Sequence, residues 1–154
     1  MQVMNTLFKS IKRSREIYAS YIENYTLEQL NLIPEGLRNN LIWNIGHIIV
    51  SQQRLAYLLS ENETLLTEEF TNKYVNGTIP DGKTTQEEVD EIKRLLFSTI
   101  EQTILDYETG KFSNFTETQT RTGFLLTNFE EAMLFNHYHE GVHLGFMMKI
   151  KRFI

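Results

Sequence analysis

Apolar residues recur at helical spacing in four long stretches, separated by polar segments rich in turn residues. The first stretch, residues 3–23, places Met4, Leu7, Phe8, Ile11, Tyr18, Tyr21 and Ile22 on one face. Thr26 and Gln29 then form a T-x-x-Q capping box, which predicts a short helical turn before Pro34-Glu35-Gly36. Asn39 or Asn40 can cap a second long helix. It runs through Leu41, Ile45, Ile48, Ile49, Leu55, Leu58 and Leu59 to about Ser60. Thr85 and Glu88 form another capping box, and the stripe Val89, Ile92, Leu96, Ile100, Ile104 and Tyr107 follows it. Gly110 is placed to end that third helix. Asn128 and Glu131 resemble a cap pair opening a fourth helix that extends to about Arg152.

The intervening segments read as loops. Residues 61–84 contain Asn76-Gly77 and Pro80-Asp81-Gly82, dipeptides that punctuate turns. At about 3.3 Å per residue this linker spans a bundle helix twice over, so the helices it joins need not be antiparallel neighbours. Residues 111–127 are rich in Thr, Ser, Asn and Phe. No internal repeat or useful strand alternation is present. The pattern predicts an all-α fold, a four-helix bundle in one domain spanning 1–154.

Composition narrows the chemistry. The 154 residues include no cysteine, which excludes a disulfide framework, a thiolate metal site and a cysteine nucleophile. The formal charge is −5 and the sequence pI about 5.4, against the basic face expected of a nucleic-acid binder. Lys149, Lys151 and Arg152 form a small basic cluster whose ordinary role is to complement the last helix's dipole. The N-terminus lacks an apolar signal region, and no stretch approaches the ~20 apolar residues of a membrane span. The expectation is a soluble, cytoplasmic protein acting on neither nucleic acid nor membrane.

The candidate chemistry lies in the histidines. His139 and His143 are four apart and share one helix face. His47 sits in the second helix. Two imidazoles from one helix and a third from a neighbour could hold a divalent metal and leave a position open, as catalytic zinc sites do. Spacing alone leaves packed histidines equally open. His137 lies about 200° from His139 around the helix and reads as a surface or second-layer residue. Asn44 and Ser51 flank His47 at i−3 and i+4; either could hold a ligand, with helix-surface polarity as the default. Trp43, Tyr74 and Tyr138 default to the core.

His139-Glu140-Gly141-Val142-His143 also matches H-E-x-x-H, the zinc-protease pattern. Only 11 residues follow His143, Phe146 and Lys149 occupy the metzincin glycine and histidine positions, and no sheet precedes the motif. A protease is therefore disfavoured. Glu140 remains a weak candidate catalytic base; a solvated or supporting role is preferred.

Trp43-Asn44-Ile45-Gly46-His47 with Ser51-Gln52-Gln53 resembles the second helix of the DinB-like (DinB/YfiT) superfamily, and His139-x-x-x-His143-x-Gly145 resembles its last bundle helix. The resemblance implies an up-down-down-up four-helix bundle with long crossover linkers. It implies a divalent metal, usually zinc or nickel, on His47, His139 and His143, and often a homodimer. Characterised relatives include thiol-dependent S-transferases, so a low-molecular-weight thiol is an implied cofactor. Three functional readings follow. The first is a metal-dependent enzyme acting on a small-molecule substrate by thiol S-transferase-like chemistry. The others are a non-catalytic metal-binding or dimeric interaction bundle, and a metal-dependent hydrolase.

Overall fold

A computed structural model describes residues 2–154. Four long helices form the bundle: α1 (Gln2–Asn24), α3 (Leu41–Ala56), α5 (Gln86–Glu108) and α6 (Phe129–Ile150). Two short helices lie in the connections, α2 (Leu27–Asn31) and α4 (Glu68–Tyr74). A 3₁₀ turn, Leu58–Ser60, follows α3.

Local chemistry sets the helix starts. Both capping boxes form: Thr26 with Gln29 opens α2, and Thr85 with Glu88 opens α5. Of the two asparagines, Asn40 caps α3, its side chain accepting from the Trp43 amide. Asn128 caps α6 by accepting from the Glu131 amide, but the Glu131 carboxylate accepts from the Thr127 amide instead of closing a box. After α5, Gly110 takes φ +75°, the left-handed conformation that ends a helix without a Cβ penalty.

Packing gives the topology. α1 and α3 each pack on both α5 and α6. Ser10 meets His137 and Arg15 meets Glu140, so α1 and α6 run the same way. Asn44 meets His143, and His47 packs on His139, so α3 opposes α6. Gln52 meets Thr103 and Tyr57 meets Asp106, so α3 and α5 are parallel. The order is up-down-down-up.

Two connections differ from the sequence expectation. The 61–84 linker contains α4, capped by the Thr67 hydroxyl. Segment 111–127 contains a two-residue antiparallel ladder, Thr118–Gln119 against Leu125–Leu126. Both are too short to carry a readable period.

The interior has two apolar clusters. One centres on Tyr18, Ile45, Ile92 and Met147, the other on Phe8, Ile11, Tyr57 and Met133. Between them, by position along each helix, lies a buried polar layer of Arg15, Gln52, Thr99, Asn136 and Glu140, with Thr103 one turn further along α5. No described helix is long and apolar enough to cross a membrane.

Candidate metal centre

α3 and α6 bring His47, His139 and His143 together. One ring nitrogen from each lies within 4.8 Å of the other two. His47 and His143 are buried and His139 is half-buried. The predicted triad is thus assembled by two antiparallel helices, with i,i+4 spacing supplying two members from α6.

Hydrogen bonds fix the tautomers of two rings. His47 Nδ1 lies 2.8 Å from the Tyr74 carbonyl, which can only accept, so Nδ1 carries the proton and Nε2 the lone pair. His143 Nδ1 lies 2.8 Å from Asn44 Oδ1. The Asn44 amide nitrogen donates to the Asn40 carbonyl, so its oxygen faces His143 and accepts. His143 Nε2 is therefore also left with a lone pair. Such partners orient metal-binding imidazoles and raise their basicity.

The third ring tests the fit. His139 Nε2 lies 3.2 Å from His143 Nε2, and its Nδ1 is buried without a partner. Without an ion, either tautomer of His139 leaves a nitrogen unsatisfied or two lone pairs facing each other. Two imidazoles on one tetrahedral zinc, with Zn–N of about 2.0–2.1 Å, stand about 3.3 Å apart. The His139–His143 spacing suits shared coordination.

Electrostatics points the same way. Burial pushes His143 down to about 3 and His139 down to about 4, with neighbouring imidazoles adding to both shifts. Burial also lowers His47, opposed by its bond to the Tyr74 carbonyl. All three are neutral near pH 7, the form that binds metal.

The surroundings hold the rings in place. Trp43 stacks on His47, with centroids 4.7 Å apart and planes within 7°. The indole N–H donates to Thr78 Oγ1, tying the α4 connection to this wall. Gly46 makes room for Tyr74: a Cβ there would stand 2.5 Å from the Tyr74 ring. Ser51 Oγ lies 3.2 Å from His47 Nε2, within reach of whatever that nitrogen binds.

Three expectations are corrected, those for Glu140, Asn44 and Tyr138. Glu140 is not solvated. It is fully buried, its Oε1 2.6 Å from the Arg15 guanidinium and 2.9 Å from the Asn136 amide. It therefore belongs to the polar layer and lies outside the ligand cluster, which argues against a catalytic base. Asn44 is buried against His143 instead of exposed. Tyr138, expected in the core, is 53% exposed. His137 bonds Ser10 and stays apart from the triad. The Tyr74 carbonyl went unpredicted, because a backbone acceptor leaves no residue-type signal.

The sequence profile of the DinB superfamily matches residues 10–147. The chain belongs to the DinB superfamily. The match runs from within α1 to near the end of α6, so it includes all three histidines. No curated protein gives a significant match. For this DinB-superfamily chain, the histidine group is a candidate metal site.

Proposed function

We propose that this DinB-superfamily chain is a metal-dependent enzyme acting on a small molecule, with zinc or nickel held by His47, His139 and His143. The chemistry proposed is thiol-dependent S-transfer, and the functional unit is a homodimer. The observation that carries the reading is the convergence of three neutral imidazoles with no fourth His, Asp or Glu in their cluster among the described residues. Three protein ligands and a free position are characteristic of catalytic zinc; structural sites close with four.

A divalent cation held by His47, His139 and His143 would supply charge that lowers the pKa of a nearby thiol or water. The chain has no cysteine, so a thiol nucleophile must come from a small molecule. Tyr74 and Asn44 keep His47 and His143 presented through Nε2. The Ser51 hydroxyl, 3.2 Å from His47 Nε2, can donate to or accept from a ligand placed there. Trp43 excludes water from one side of His47.

The test is an assay of metal-loaded protein against an electrophile with a panel of low-molecular-weight thiols, wild type beside His143→Ala. Metal binding and turnover should be lost together in the variant. Turnover that persists in the metal-free variant would refute metal-dependent chemistry.

A further inference from the structure

Helix α6 is apolar on its outer side as well as its inner side. Leu134, Tyr138, Val142, Phe146 and Met148 are 40–53% exposed along it. Between Glu131 and Lys149 its only Asp, Glu, Lys or Arg is Glu140, buried against Arg15. A helix that is hydrophobic all round is normally covered on both sides. Charge depletion in the centre of a face marks an interface core.

Charges sit at the two ends of this face and have opposite signs. Glu130 and Glu131 stand in the first turn, and Lys149 in the last. Lys151 and Arg152 follow directly. None of these three cations has an ion-pair partner among the described residues. An identical helix laid antiparallel brings each acidic end to a basic end.

Two glycines point the same way. Gly141 and Gly145 lie in the helix interior and are exposed. A Cβ at either would meet nothing within 4 Å, and neither has positive φ. Nothing within one copy requires them, yet each costs the helix about 0.5–1 kcal/mol relative to alanine.

We infer that α6 is a self-association surface, pairing antiparallel with α6 of a second copy about a two-fold axis between Tyr138 and Val142. This names the interface of the homodimer included in the functional reading. In this register Glu131 faces the second copy's Lys149, Leu134 faces Phe146, Tyr138 faces Val142, and the ring of Phe135 lies over Gly145. A large residue opposes a small one at Phe135 and Gly145. The pairing is isologous, as a two-fold dimer requires. It also reaches the metal centre: Phe135 stacks near His139 at 6.2 Å and Phe146 lies 6.1 Å from His143.

The experiment is the oligomeric state of the full chain by sedimentation equilibrium, with Gly145→Leu, Lys149→Glu and Glu131→Lys/Lys149→Glu beside wild type. Wild type should be dimeric across the micromolar range. Gly145→Leu improves helix propensity, so it should keep or raise thermal stability measured under monomeric conditions, while shifting dissociation at least tenfold toward monomer. Lys149→Glu should weaken the dimer, and the double reversal should restore it. A monomeric wild type would leave the face to another partner and overturn the inference. A dimer indifferent to Gly145→Leu, or a double reversal no tighter than Lys149→Glu alone, would overturn the proposed face or register. Metal titration of wild type separates this from the functional reading: the metal proposal fails if wild type binds no metal, whatever its oligomeric state.

Discussion

At the scale of single residues, the centre depends on groups that hold the histidines as much as on the histidines. Asn44 fixes His143 through a 2.8 Å bond. Removing such a partner typically costs 10–100-fold in metal affinity. Asn44→Ala should show that loss in a competitive metal titration while the fold survives; unchanged affinity would mean that the bond does not orient the ligand. Gly46→Ala places a methyl group 2.5 Å from the Tyr74 ring. It should destabilise the protein by about 1–3 kcal/mol and weaken metal binding, because the displaced residue carries the His47 acceptor. Protonation gives a third test. His139 and His143 are depressed to about 4 and about 3 in the folded chain and return toward 6.5 on unfolding. Below pH 6.5 the unfolded chain therefore binds more protons than the folded one. The metal-free protein should keep the neutral histidines' contribution above pH 6.5 and lose it progressively as pH falls through about 3. Denaturant midpoints between pH 7 and 5 should fall in wild type and flatten in His139→Gln/His143→Gln.

At the scale of elements, the helices were legible because their ends and faces are written in side chains. The Thr26/Gln29 and Thr85/Glu88 boxes formed as read, and the i,i+4 spacing put His139 and His143 on one face. Helix α4 was not legible: seven residues contain too few turns for a period. Nor was the burial of Glu140. Its partner Arg15 lies 125 positions away on α1, and neither residue type signals an interior location. That pair gives the element-scale prediction. Arg15→Met should leave a buried carboxylate without its cation and cost about 3–5 kcal/mol in chemical denaturation. Arg15→Met/Glu140→Leu should recover most of that loss, since an apolar pair of similar volume needs no charge compensation. If Arg15→Met alone were harmless, the polar layer would not depend on this ion pair.

At the scale of the whole molecule, the antiparallel packing of α3 on α6 makes fold and site one object, because the triad exists only when these helices are docked. The sequence resemblance already implied this pairing and its up-down-down-up frame. It left the outer face of α6 unread, since Tyr138 and its neighbours look like core residues until the direction of each side chain is known. A metal bound across α3 and α6 should stabilise the folded chain. At a hundredfold excess over Kd the gain is about 2.7 kcal/mol, a rise in Tm of roughly 5–10 °C for a chain of this size. The most direct test of the central claim is metal content and affinity, by elemental analysis and titration, of untagged wild type beside His139→Ala. One divalent ion per wild-type chain is expected, and its loss in the variant. Wild-type protein that binds neither zinc nor nickel after incubation would contradict it.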